Sequence, residues 1–70
     1  MSLLGFRMSD QDIVEATLAV MVEGAGPENV TLGGLWEVAG ESHLYDHREI
    51  PEDLYAICED VWRRWERGQR

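Results

Sequence analysis

Between Pro51 and Gly68 runs one apolar stripe: Leu54, Ile57, Cys58, Val61 and Trp65 recur at helical spacing. It defines one face of one helix before anything else in the chain is considered. Pro51 suits a first helical turn, where its missing N–H costs nothing. Glu52 and Asp53 favour the positive end of the helix dipole, and Arg63, Arg64 and Arg67 the negative end. Glu59–Arg63 and Asp60–Arg64 are i, i+4 pairs in the better orientation. A helix over 51–67, closed by Gly68, is therefore expected, and its stripe must lie against another apolar face.

That second face is written into 9–23. Ser9 can cap a helix, and Asp12 stands three residues on, as in a variant capping box. Ile13, Val14, Thr17, Leu18, Val20 and Met21 then make a broad apolar face, with Glu15, Ala19 and Glu23 opposite. Gly24 is the expected stop, and Gly24-Ala25-Gly26-Pro27 the loop after it.

Residues 30–47 admit two readings. Leu32, Leu35, Trp36 and Ala39 fit i, i+3, i+4, i+7 of a helix over 31–39, with Thr31 as N-cap and Gly40 as stop. A short helical segment near 42–47 would follow. The alternative is a hairpin pairing 34–38 with 43–47, since Val30, Leu32, Trp36 and Val38 alternate like a strand. The helical reading is preferred. The expected fold class is all-α, a small three- to four-helix domain with a helix-turn-helix-like arrangement. The alternative is α+β with a hairpin in 30–47. The domain spans 9–68, behind a lead at 1–8 and ahead of a tail at 69–70.

Seventy residues make one domain. A chain this short buries only about 60% of its unfolded surface. With 44% hydrophobic residues and three Trp it still has material for a core rather than an acidic disordered tail. A partner, a second copy or a larger assembly would add stability. No apolar run approaches the roughly 18 residues of a membrane span. One Cys makes no internal disulfide framework, and Met1–Met8 lacks the apolar stretch of a signal peptide. A cytoplasmic location is the expectation.

Charge is unevenly placed. The chain has no Lys, and residues 9–62 hold thirteen acids against the single Arg48, a local balance of −12. Residues 63–70 carry +3, and the whole chain −8. Such a balance disfavours direct contact with nucleic acid, because phosphates need cations. It is either a solubilising surface or a face offered to a basic partner.

One run of motifs resembles a known family. Gly26-Pro27-Glu28-Asn29-Val30-Thr31, Leu35, Ala39-Gly40-Glu41-Ser42, Leu44-Tyr45-Asp46-His47 and then Pro51 and Leu54 follow one another in order. The order and spacing resemble the N-terminal DNA-binding domain of TetR-type repressors. The resemblance implies a turn at Gly40, a cap at Ser42 and a short recognition helix after it. It also implies DNA contacts through Thr31, Ser42, His43, Tyr45, His47 and Arg48. The chain departs from the family's pattern at Trp36, at Glu41 and in a recognition helix about two residues short. Acids stand at several positions that would face phosphates, so the resemblance speaks for a helical fold more than for DNA binding.

Catalytic chemistry finds little support. His43 and His47 are four apart, a zinc-chelating spacing, but a third ligand would have to come from Cys58, Asp46 or Glu49. No metal and no cofactor are expected. Cys58 lies on the apolar stripe, where a thiol acts as a small hydrophobe. Glu52-Asp53 and Glu59-Asp60 sit seven apart, yet no phosphate loop, nucleophile motif or metal loop accompanies them. The expectation is a protein that is not an enzyme.

Two functions follow. The first is a small acidic interaction protein that binds and blocks, or regulates, a basic and nucleic-acid-binding protein or ribonucleoprotein. Nucleic-acid mimics, among them phage inhibitors of restriction and CRISPR nucleases, are the concrete case. Its partner-binding candidates are Glu49, Glu52, Asp53, Tyr55, Glu59, Asp60, Trp62 and Arg63, since Trp, Tyr and Arg dominate binding hot spots. The second is a degenerate TetR-like transcriptional regulator that binds DNA.

Overall fold

A computed structural model, which describes residues 8–68, lays the 54–65 stripe against two other helices. The elements are α1 (Asp10–Ala25), a 3₁₀ turn at Pro27–Asn29, α2 (Leu32–Tyr45) and α3 (Leu54–Gly68). Each helix packs on the other two. The all-α expectation holds. The hairpin alternative over 30–47 is corrected, since that stretch is helical and the described residues contain no strand. The lead up to residue 7 and the tail at 69–70 lie outside the described residues. No described helix is long and apolar enough to cross a membrane.

The capping box at Ser9 forms as expected. Ser9 Oγ accepts from the Asp12 N–H at 3.1 Å, and the Asp12 carboxylate accepts from the Ser9 N–H at 3.2 Å. The end of α1 differs. The helix passes through Gly24 and stops where Gly26 takes φ 92°, its N–H bonding Val22 O at 3.0 Å. Pro27 explains the stop: it disfavours helical backbone in the residue before it and donates no N–H.

The larger correction is in α2. The expected break at Ala39-Gly40-Glu41-Ser42 does not exist, and 31–39 and 42–47 join into one helix. Thr31 caps it, with Oγ1 accepting from the Gly34 N–H at 3.0 Å. Gly40 costs about 1 kcal/mol as a helix interior residue. The stripe Leu35, Ala39 and His43, each fully buried, continues straight through it. Burial of that face outweighs the local cost. Ser42 therefore caps nothing and lies inside the helix.

The helix ends instead at Tyr45, and His47 just beyond it closes the end. Its backbone is left-handed, φ 59°, the Arg48 N–H bonds His43 O at 2.9 Å, and the His47 N–H bonds Leu44 O at 3.0 Å. These two bonds make a Schellman motif, a role usually filled by glycine.

α3 begins later than its composition suggests. Pro51 stands before the helix, and Leu54 N–H bonds Pro51 O at 3.1 Å in a turn. Glu52 and Asp53 lie in that turn rather than in the first helical turn, with Asp53 O accepting from Ile57 N–H at 3.0 Å.

The core contains Val14 and Leu18 from α1, Val30, Leu35 and Ala39 from and before α2, and Leu54, Cys58 and Val61 from α3. Leu18, Leu35, Leu54 and Val61 are inside as expected. Ile57 and Trp65, expected with them, pack on the core but stay partly exposed. Val20 is corrected: it is 68% exposed, because α1 buries the narrower face of Ile13, Val14, Thr17 and Leu18.

Candidate interaction surface

Four arginines are described, and three of them are held by acids of the chain itself. Arg63 donates to Glu59 at 2.9 Å and Arg64 to Asp60 at 2.8 Å, both on the outside of α3. The hydrogen bond to Glu59, helped by its charge, raises the Arg63 pKa above its ordinary value. Arg48 lies 3.5 Å from Asp10 and 3.9 Å from Asp46, and is only 14% exposed. Among the described residues no cation comes within ion-pair distance of Glu37, Glu41, Glu49, Glu52 or Asp53. All five are exposed. They occupy the outer side of α2 and the 46–53 connection.

The partner-binding candidates therefore separate into two groups. Glu59, Asp60 and Arg63 sit in ion pairs that neutralise one another locally. Glu49, Glu52 and Asp53 carry net negative charge. The two aromatics also part. Tyr55, 45% exposed, meets Trp36 of α2 edge-on, with ring centroids 5.2 Å apart at 87°. Trp62 is half-buried against the core, in a shallow depression with Pro27, Val30 and Trp65. Its Nε1–H is buried and has no hydrogen-bond partner among the described residues.

Beside the Trp36–Tyr55 pair lies an open groove. Trp36, Glu37, Gly40, Glu41 and Leu44 of α2 form one side, and Ile50 and Leu54 the other. Trp36, Leu44 and Ile50 are each about half exposed or more. The α2 residues of this groove escaped sequence reasoning. The signal was present: Glu37 and Glu41 are like charges at i, i+4, on either side of a mid-helix glycine. It was obscured by the break expected at Gly40.

The residues that the DNA-binding resemblance implied do not share a face. Thr31 caps α2, and Tyr45 is 90% exposed at its other end. Ser42 Oγ is 3.3 Å from Thr17 Oγ1 of α1. His43 is fully buried: Nδ1–H donates to Ala39 O at 2.9 Å, and Nε2 faces Asp10 Oδ1 at 3.1 Å. His47 forms the left-handed helix end, and Arg48 is drawn to Asp10. The segment that resembles a recognition helix is thus fastened to α1.

Among the described residues no three of His, Cys, Asp and Glu gather as a metal site. Cys58 is fully buried, and burial pushes its thiol pKa up, which disfavours the reactive thiolate.

Comparison with family models, with curated proteins and with solved structures finds no match to this chain.

Proposed function

We propose that this chain is a non-catalytic acidic interaction protein that binds a basic, nucleic-acid-binding protein and blocks or regulates it. A phage inhibitor that imitates nucleic acid, of the anti-CRISPR kind, is the concrete case. One observation carries the reading: three of the four described arginines are held by the chain's own acids, while Glu37, Glu41, Glu49, Glu52 and Asp53 face solvent without a cation among the described residues. A face of one sign steers an oppositely charged partner and speeds encounter. The edge-to-face rings of Trp36 and Tyr55 supply the apolar contact that charge alone lacks.

The test is displacement. A panel of basic nucleic-acid-binding proteins is loaded with labelled DNA, and the chain is titrated in at rising salt. Release of DNA from a panel member, weakening steeply with salt, supports the reading, because exposed charges are screened over about 10 Å at 0.1 M. Retention of the chain on DNA itself supports the TetR-like regulator instead. Reversing Glu49, Glu52 and Asp53 to Arg separates the two further. It slows association with a basic protein and strengthens binding to DNA.

A further inference from the structure

We propose that the α2–α3 groove is an arginine-reading site, which takes an arginine side chain of a basic helical segment between Glu37 and Glu41, its stem on Trp36. The proposal rests on the acidic-interaction reading above and names the place and the side chain.

Three features of α2 converge on this groove: two weaken the isolated helix, and the third leaves apolar surface uncovered in the fold. Glu37 and Glu41 repel one another at i, i+4. Gly40 sits mid-helix, although the fold does not require it: a Cβ there would meet only Leu54 Cδ2, at an ordinary 3.8 Å. Trp36 and Leu44 keep 49% and 61% of their surface in water. Local rules broken together, with no gain inside the fold, are expected at functional sites.

One occupant repairs all three. A guanidinium has five N–H donors in a planar fork and can serve two carboxylates one helical turn apart. An ammonium is a point charge and fits this pair less well. The methylene stem and the flat cation both suit the half-exposed Trp36 ring, which meets Tyr55 edge-on. The missing side chain at Gly40 leaves the groove floor open for an apolar neighbour of that arginine. Ile50 and Leu44 wall it. Glu49, Glu52 and Asp53, exposed in the connection that carries Ile50, add negative charge next to it in sequence, and Arg48 lies 3.5 Å from Asp10 instead.

The probe is an amphipathic helical peptide with arginines one turn apart around leucine, and its twin with every arginine replaced by lysine. Both are titrated into the ¹⁵N-labelled full chain at low salt. The expected result is movement of the Trp36 indole N–H and the Gly40 amide, with Trp62 unmoved, and several-fold tighter binding of the arginine peptide. Glu37→Gln with Glu41→Gln should weaken that peptide about tenfold and abolish its advantage, in line with two lost charge-assisted bonds. Glu59→Gln with Asp60→Gln should not. Gly40→Ala should raise Tm yet weaken the peptide, a combination that a packing role for Gly40 does not produce.

Shifts confined to another face, or equal affinity for both peptides with the Glu37/Glu41 variant unchanged, overturn the groove and leave the acidic-interaction reading standing. Absence of binding by either peptide, at a salt where displacement of DNA still occurs, has the same effect. Absence of both peptide binding and displacement overturns the groove and the reading together. Concentration-dependent movement of Trp36 without peptide would assign the groove to a second copy and overturn the arginine proposal.

Discussion

Asp10 and His43, thirty-three residues apart, meet at 3.1 Å and tie the start of α1 to the last turn of α2. The imidazole is wholly inside, while the carboxylate is 38% exposed. His43 Nδ1–H already serves Ala39 O, and among the described residues Asp10 is the partner of Nε2. Arg48 reaches the same Asp10 oxygen from beyond the helix end. Removing Asp10 leaves the buried Nε2 with no partner among the described residues, the expensive half of a hydrogen bond. Asp10→Ala should cost about 1–3 kcal/mol in urea denaturation. Asp10→Asn keeps a hydrogen-bonding partner for Nε2 and should cost less. Equal loss in both would mean that charge, rather than the bond, ties the helices.

His47 offers the opposite experiment. A non-glycine residue in left-handed backbone carries roughly 1–2 kcal/mol of steric cost. His47→Gly removes it and gives up some of that gain to the greater freedom of the unfolded chain. The net expectation is a rise of about 0.5–1 kcal/mol in stability, read as a higher urea midpoint at unchanged m-value. A fall would show that the imidazole itself packs at the helix end.

Leu54 is 3% exposed and lies under both the core and Gly40. Leu54→Ala should cost about 2–5 kcal/mol. In a domain of this size that approaches the whole stability and should leave much of the chain unfolded at 37 °C, visible by circular dichroism. A loss below half of one kcal/mol, on the order of a surface substitution, would contradict its placement.

Cys58 links burial to alkaline pH. Burial raises its thiol pKa in the folded chain above the unfolded value. The stabilisation from keeping the thiol neutral is complete below the unfolded pKa and fades as pH climbs through the folded one. The stability gap between the parent and Cys58→Ala should therefore narrow as pH rises through and above the ordinary thiol range. Native chain should also resist alkylation that unfolded chain undergoes readily. A gap that is constant with pH would place the thiol in water.

The sequence alone determined what local physics controls. The Ser9–Asp12 box, the Thr31 cap, the α3 stripe and the Glu59–Arg63 and Asp60–Arg64 pairs all join residues within one or two turns. Their geometry follows from helical spacing, so spacing was enough to read them. The acidic character of 9–62 was equally plain, since charge is composition. What the tertiary structure decided is everything set by competition between local cost and distant burial. Gly40 reads locally as a stop, yet α1 and α3 bury Leu35, Ala39 and His43 on one continuous stripe, and the helix runs on. His43 reads as a surface base-reader until Asp10 arrives from thirty-three residues away. Trp36 meets Tyr55 only because two helices pack, and the same packing sets Glu37 and Glu41 across a groove from Ile50 and Leu54. Long-range contact gives a hidden histidine and an exposed aromatic pair, and no short-range pattern encodes either.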